Sequence, residues 1–199
     1  METFFITGTD TNIGKTYTSI KLLDEFNDLG LKTIGIKPVA TGCINGKNED
    51  ALLLQKHSSI KLDYHLINPF AFKPAISPNI ASANLTIEKI WIRLQDTINI
   101  PADIYIIEGV GGWMTPINSS ETMADLVSQF KDIKIILVVG IKLGCLNHSI
   151  LTYNAIPNLY GWIANIIDPK MDALEENIST LKKYIKAPLL RTIDYEHHQ

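Results

Sequence analysis

The chain has 199 residues, of which 46% are hydrophobic and 20% charged. These proportions are ordinary for a globular protein, and we expect residues 1–199 to form a single domain. The formal net charge of −3 argues against nucleic acid or a membrane surface as partner, and the absence of a signal-peptide pattern, together with only two cysteines, predicts a cytoplasmic protein.

Short apolar runs alternate along the chain with stretches in which apolar residues recur every three or four positions. The first pattern is typical of buried strands and the second of amphipathic helices. The predicted elements are, in chain order, a strand at Phe4–Thr7, a helix at about Lys15–Leu29, a strand at Thr33–Lys37, a short helix at Asp50–His57, an ordered loop over the substrate region at Leu62–Ser77, a helix at Ile87–Ile98, a strand at Asp103–Ile107, a helix at Thr122–Phe130, a strand at Lys134–Val139, a helix at Asn147–Ile156, a strand at Tyr160–Asn165, a helix at Met171–Ile185 and a final run at Pro188–Arg191.

This alternation predicts an α/β fold with a mostly parallel β-sheet flanked by helices on both faces. Ligands of such sheets bind at the carboxyl ends of the strands. The glycine-rich loop after the first strand, Lys37, Glu108 and residues 140–144 all follow predicted strands. We therefore expect them to share one rim of the sheet.

The glycine-rich loop, residues 8–16, has the sequence GTDTNIGKT and fits the P-loop pattern Gly-x-x-x-x-Gly-Lys-Thr. Gly8 and Gly14 let the backbone wrap closely around phosphates, and the following helix points its amide groups at the anion. Lys15 is expected to reach the outer phosphates and the Thr16 hydroxyl to bind Mg²⁺. The segment favours nucleoside triphosphate binding and a P-loop NTPase-like fold over a glycine-rich turn without a ligand.

Two carboxylates and one lysine are further candidates for this rim. Glu108 follows a strand and precedes a glycine-rich turn, which suits a metal ligand, although an exposed acid after a strand is the alternative. Asp50 begins a helix, and position alone favours a role as its N-cap. Lys37 would supply a second cation beside a triphosphate. The five histidines show no metal-ligand spacing, and we interpret them as packing or surface residues.

With these residues collected, the chain resembles the dethiobiotin synthetases from Thr3 to about Leu190. Five segments carry the resemblance: residues 8–16 (GTDTNIGKT), 37–42 (KPVATG), 68–72 (NPFAF), 108–113 (EGVGGW) and 142–148 (KLGCLNH). Together they are much more specific than a P-loop alone. This chain ends nine residues after Leu190, where members of the family often continue, and we expect the selectivity for adenine to be affected.

The resemblance implies an ATP-dependent ligase of biotin biosynthesis that converts 7,8-diaminopelargonic acid and CO₂ to dethiobiotin. One amine of the substrate adds CO₂ to form a carbamate. The carbamate oxygen attacks the γ-phosphate of ATP, giving a carbamic–phosphoric anhydride. The second amine then closes the ring and releases phosphate.

The resemblance also assigns roles to residues. Lys15 and Lys37 are expected to be catalytic, and Thr16, Asp50 and Glu108 to bind Mg²⁺, which replaces the capping role for Asp50. The nucleotide is expected to contact Asn12, Ile13, Gly14, Lys15, Thr16, Tyr17, Asp50, Glu108, Gly111 and Asn165, the last at the base. The diamine is expected to contact Thr11, Lys37 and Thr41, together with Gly144, Cys145 and Asn147.

The resemblance places residues 144–147 at a homodimer interface, where a helix start receives the substrate carboxylate of the other subunit. Without the resemblance, this segment would be an ordinary loop with Asn147 as helix cap.

Two other functions compete with the ligase. A nucleotide-switched partitioning ATPase would carry a second lysine early in the P-loop, where this chain has Thr9. A small-molecule kinase would transfer the phosphoryl group and stop, because it does not need a second amine near the phosphorylated carbon.

Overall fold

The apolar runs of the sequence form strands in a computed structural model, which describes residues 1–195. The strands are β1 (Glu2–Gly8), β2 (Thr33–Ile36), β3 (Val39–Ala40), β4 (Phe70–Ala71), β5 (Ile104–Glu108), β6 (Lys134–Ile141), β7 (Leu159–Ile166) and β8 (Leu189–Ile193). Six of them pair in parallel in the order β2-β5-β1-β6-β7-β8, while β3 and β4 form a separate parallel pair. The predicted parallel sheet is confirmed.

Helices cover both faces of this sheet. They are α1 (Lys15–Asp28), α2 (Glu49–His57), α3 (Tyr64–Ile67), α4 (Pro78–Ala81), α5 (Ile87–Ile98), α6 (Met123–Val127), α7 (Cys145–Ala155) and α8 (Leu174–Tyr184). Alternate side chains of a strand point to opposite faces, so Phe4 and Ile6 pack in the core layer of α1, and Phe5 packs in the layer of α5 to α8. Within residues 1–195, no helix is long and apolar enough to cross a membrane.

The segment predicted as a loop at Leu62–Ser77 contains both α3 and β4, so that prediction is wrong in part. The two elements have four and two residues, too few for a periodic pattern to mark them. They depend on contacts with a distant part of the chain, because Phe70 N donates to Pro38 O over 3.2 Å and Phe72 N donates to Ala40 O over 2.8 Å.

Two helix caps that position and residue type alone would have favoured, Asp50 and Asn147, are not the caps of their helices. Helix α2 is capped by Asn48, whose side chain accepts from Ala51 N over 3.2 Å, and Asp50 lies inside the first turn. Helix α7 begins two residues earlier than predicted, with Gly144 as its N-cap at φ 91°. Asn147 therefore lies within the first turn of α7. Helices α6 and α8 are shorter at both ends than the predicted spans.

Candidate nucleotide and substrate site

A cleft of about 920 Å³ opens at the carboxyl ends of β1, β2 and β5. Its walls come from the P-loop, the ends of β2 and β5, the glycine-rich turn after β5 and the start of α4. Its lining residues include Thr11, Asn12, Gly14, Lys15, Thr16, Lys37, Thr41, Asp50, Ala75, Ser77, Glu108, Gly111 and Thr115. The expected shared rim exists, and most of the residues expected at the site meet there.

The floor of the cleft holds one cation between two carboxylates. Lys37 Nζ lies 2.5 Å from Asp50 Oδ2 and 2.7 Å from Glu108 Oε1. The Thr16 hydroxyl donates to the same Glu108 oxygen over 2.8 Å. The fold thus brings together one hydroxyl group, two carboxylates and one ammonium group from residues up to 92 positions apart in sequence.

This charge cluster shifts the pKa values of its members. Burial, the largest single influence, lowers the pKa of Lys37, but the charges and hydrogen bonds of Glu108 and Asp50 outweigh burial and raise it above its usual value. For Asp50, burial raises the pKa, yet the charge and the hydrogen bond of Lys37 bring it below its usual value. Lys37 and Asp50 are therefore both charged at neutral pH.

Lys15 has a different environment within the same loop. Its ammonium group donates to Asp10 O over 2.7 Å, so the side chain folds back over the P-loop. The pKa of Lys15 is lowered to about 8, because burial, the largest influence, together with the nearby charge of Lys37 outweighs the raising effects of Glu108 and Asp50. A ligand anion in the loop would supply the negative charge that Lys15 lacks here.

Glu108 is fully buried, and a second hydroxyl holds its other oxygen. Ser19 Oγ lies 3.0 Å from Glu108 Oε2 and 2.9 Å from Lys15 O. A carboxylate accepting from several donors is held in one orientation. Oε1 is therefore presented to the cleft while Oε2 faces α1.

The roles of Ser19 and Asn48 were not predicted from the sequence. Ser19 appears in the sequence as a small polar exception on the apolar face of α1, four residues after Lys15, and that exception is the signal that would have found it. Asn48 stands two residues before Asp50 and has the residue type that caps helices. It also donates to Thr41 O over 3.3 Å, which links the start of α2 to the substrate region.

Three residues expected at the nucleotide are not among those lining the cleft. Ile13 is buried in the apolar cluster under the loop. Tyr17 lies on α1 with the ammonium group of Lys21 5.3 Å from its ring centre. Asn165 is buried at the end of β7, where its side-chain amide donates to Ile13 O over 2.8 Å.

The segment with Gly144, Cys145 and Asn147 lies at the start of α7, apart from the cleft walls. Cys145 is buried, whereas Gly144 and Asn147 are exposed. Leu143 beside them is also exposed. One subunit therefore does not bring these three residues into its own cleft.

The donor set of the cleft fits Mg²⁺. This ion prefers oxygen ligands and is commonly held by one or two carboxylates together with phosphates, and Thr16, Asp50 and Glu108 offer such oxygens. In residues 1–195, no group of three or more His, Cys, Asp or Glu side chains could hold a metal ion. His57 pairs with Asp24 over 2.7 Å, and His197 and His198 lie outside the described residues.

Comparison with known proteins agrees with the nucleotide site that the geometry of the cleft indicates. Residues 2–198 match the sequence model of a family described as an AAA domain. A protein of Pseudomonas paraeruginosa named ATP-dependent dethiobiotin synthetase BioD is 42% identical over 202 residues, which cover 96% of this chain and 88% of the relative. Proteins with the same name from Cellvibrio japonicus and Wigglesworthia glossinidia brevipalpis are 43% and 44% identical, each over 96% of this chain and 88% and 89% of their own lengths.

Solved structures with similar folds are more distant in sequence. The signal recognition particle receptor FtsY of Elizabethkingia anophelis aligns with a TM-score of 0.62 at 14% identity, covering 99% of this chain and 60% of the receptor chain. The Aquifex aeolicus MinC:MinD complex gives 0.60 at 17% identity, with 99% and 83% coverage. At these identities the likeness establishes the P-loop NTPase-like fold alone.

Proposed function

The chain belongs to the AAA-domain family and, within it, to the ATP-dependent dethiobiotin synthetases, and we propose that the cleft on the P-loop rim is its active site. The protein is an ATP-dependent ligase of biotin biosynthesis. The observation that carries the site assignment is the contact of Lys37 with Asp50 and Glu108 beside the P-loop. It supports the proposal because a cation and two carboxylates beside the P-loop suit the end of a bound triphosphate.

The proposed substrates are 7,8-diaminopelargonic acid, CO₂ and ATP. One amine of the diamine combines with CO₂ to give a carbamate. A carbamate oxygen then bonds to the γ-phosphorus as ADP leaves, which gives a carbamic–phosphoric anhydride. The second amine bonds to the carbamate carbon, phosphate leaves with the C–O bonding electrons, and loss of the amine proton completes the ring of dethiobiotin.

Attack of a carbamate on ATP brings two anions together, and two lysines offset this repulsion. We assign the phosphate charge to Lys15 and the carbamate charge to Lys37, which lies at the cleft floor next to the end of β2. Thr11 and Thr41 also line the cleft, and we propose that they hydrogen bond the diamine or its carbamate. Asn12, Gly14 and Gly111 are proposed to contact the nucleotide.

We propose Thr16, Asp50 and Glu108 as the residues that hold Mg²⁺. The ion would neutralise phosphate charge when bound. Support comes from the convergence of a hydroxyl and two carboxylates within hydrogen-bond distance of one another or of Lys37. Backbone atoms of Ile13 and Tyr17 remain proposed nucleotide contacts.

We further propose a homodimer in which Gly144, Cys145 and Asn147 complete the substrate site of the partner subunit. The start of a helix attracts anions, so this segment would bind the carboxylate at the far end of the diamine. The exposure of Gly144 and Asn147 away from the cleft of their own subunit supports the assignment. We propose the cytoplasm as the location, because both cysteines are unpaired thiols and ATP is available there.

The test is a single incubation of the protein with 7,8-diaminopelargonic acid, bicarbonate, ATP and Mg²⁺, followed by mass analysis. The expected result is dethiobiotin, ADP and phosphate in equal amounts, with none formed when any component is omitted. Transfer of phosphate to the diamine without ring closure would support a kinase instead. ATP turnover that is indifferent to the diamine would support a nucleotide switch.

A further inference from the structure

The peptide bond between Ile13 and Gly14 in the P-loop is held from behind by a side chain of the sheet. Asn165 Nδ2 donates to Ile13 O over 2.8 Å in a buried hydrogen bond that joins residues 152 positions apart. Asn165 is only 3% exposed. One N–H group of its amide is thus engaged by the backbone of the loop, in addition to the contact with the nucleotide base that the family resemblance implies.

This hydrogen bond fixes the direction of a backbone donor. A trans peptide is planar, so its carbonyl and its N–H group point in opposite directions, and residues 1–195 contain no cis peptide bond. Since the carbonyl of Ile13 points at the end of β7, the N–H group of Gly14 points the other way. Gly14 itself lines the cleft, so its N–H group is presented to the phosphate position.

The fit between loop and side chain is close. Gly14 has φ 88°, and a Cβ atom there would lie 2.1 Å from Asn165 Nδ2. The Ile13 side chain is 1% exposed and is wedged against two strand ends, since a Cβ atom on Gly8 or Gly140 would lie 2.5 or 2.8 Å from it. Ile13 anchors the position of the loop, but it does not fix the rotation of the following peptide.

We propose that Asn165 is a positioning residue that fixes the orientation of the Ile13–Gly14 peptide, and thereby presents the Gly14 N–H group to the phosphates of a bound nucleotide. Glycine readily adopts either sign of φ, so without this hydrogen bond the peptide can flip and turn the Ile13 carbonyl toward the phosphates. The inference rests on the proposed binding of a triphosphate in this cleft. This role differs from a contact with the base, because its effect on affinity is the same whichever base the nucleotide carries.

The test measures the dissociation constants of ATP, GTP and inorganic triphosphate, each with Mg²⁺, for the wild-type protein and for Asn165→Ala. All three constants should rise by the same factor, on the order of tenfold for one lost charge-assisted hydrogen bond. In nitrogen–proton correlation spectra, inorganic triphosphate should shift the Gly14 amide of the wild-type protein and shift it much less in the variant. A loss confined to ATP, or unchanged affinity for inorganic triphosphate, would overturn the inference.

The matched control is Asn27→Ala, because Asn27 Nδ2 also donates to a backbone carbonyl, that of His57, over 2.7 Å and lies away from the cleft. It should leave all three dissociation constants unchanged, and an equal loss of affinity in Asn27→Ala would overturn the inference.

A second variant, Asn165→Ser, has a side chain too short to reach Ile13 O and should give the same dissociation constants as Asn165→Ala. If Asn165→Ala does not fold, the test uses Asn165→Ser and the wild-type spectrum. A wild-type Gly14 amide whose chemical shift does not change on addition of inorganic triphosphate would overturn the inference. A wild-type protein that binds none of the three ligands would overturn the proposed function as well.

Discussion

Lys37 is buried at the cleft floor between Asp50 and Glu108, and this arrangement gives the clearest prediction at the residue scale. Lys37→Ala should lower the rate of dethiobiotin formation by at least about 100-fold, because one cation that offsets charge in a closed site is typically worth several kcal/mol. Steady-state kinetics with saturating ATP measure this. The control is Lys134→Ala: Lys134 pairs with Glu2 at the amino-terminal ends of β6 and β1, away from the cleft, and its replacement should leave the rate unchanged. Wild-type turnover in Lys37→Ala would remove the lysine from the mechanism.

Ser19 contacts Glu108 from the side away from the cleft. Ser19→Ala should weaken Mg²⁺ or Mn²⁺ binding by roughly tenfold, because Glu108 Oε2 loses a buried donor and the carboxylate is no longer held in one orientation. Metal titration in the presence of ADP measures this without reference to turnover. Ser58→Ala is the matched control, since Ser58 is also buried and donates to the carbonyl four residues earlier, over 2.7 Å. If both variants bind the metal as the wild type does, Glu108 does not need Ser19.

Lys15 gives a prediction for pH. Its pKa is lowered from 10.5 to about 8, so between pH 8 and 10.5 the unfolded chain binds more protons at this residue than the folded chain. Stability contributed by Lys15 therefore rises with pH in that window, by no more than about 3 kcal/mol. Urea denaturation of ligand-free wild type and Lys15→Met at pH 7, 8, 9 and 10 measures the effect. At pH 7, Lys15→Met should have the larger free energy of unfolding, and its advantage over the wild type should shrink as pH rises. An advantage that does not change with pH would contradict the lowered pKa.

At the scale of elements, the start of α2 couples helix stability to the site. Asn48 caps α2, holds Thr41 O and stands beside Asp50. Asn48→Ala should cost about 1 kcal/mol of unfolding free energy and should also weaken metal binding severalfold, because the turn carrying Asp50 is less well fixed. Thr86→Ala removes the comparable cap of α5, where the side chain accepts from Lys89 N over 3.3 Å. It should lose similar stability in urea denaturation and keep full metal affinity. Equal metal affinity in the two variants would contradict the coupling.

The elements that could be predicted from sequence are those specified by local patterns. The P-loop and Glu108 follow apolar strands, and the rule that parallel strands end at one rim placed them together correctly. Residue type alone favoured Asn147 as the cap of α7, but Gly144 is the cap and has a left-handed backbone, which glycine adopts without strain. A residue preference is a weak guide where a neighbouring glycine offers an alternative.

Contacts between distant residues could not be predicted. Ser19 and Glu108 are 89 positions apart, and Asn165 and Ile13 are 152 apart. Nothing in the local sequence of either partner specifies the other, because such pairs are set by the order of strands in the sheet. Family resemblance named Asn165 as a nucleotide contact, but only the packing of β7 against the P-loop indicates which of its atoms is engaged.

At the scale of the whole molecule, the proposed dimer makes one subunit depend on the other. The cleft holds Lys37, whereas Asn147 is exposed at the start of α7 away from that cleft. If each site takes Lys37 from one subunit and Asn147 from its partner, the two residues can be inactivated separately. Asn147→Asp is suited to this purpose: an acidic residue in the first turn favours the helix and should repel the carboxylate of the diamine.

Mixed dimers then provide the last prediction. In a dimer of one Lys37→Ala subunit and one Asn147→Asp subunit, one site carries both changes and the other carries neither. Random mixing of equal amounts makes half of the dimers mixed, so about a quarter of wild-type activity should appear where each variant alone shows little. Activity is measured after subunit exchange, and sedimentation confirms the dimer. If Lys37 and Asn147 served the same subunit's site, every site would keep one change and mixing would restore nothing; a monomer at working concentration would exclude the shared site outright.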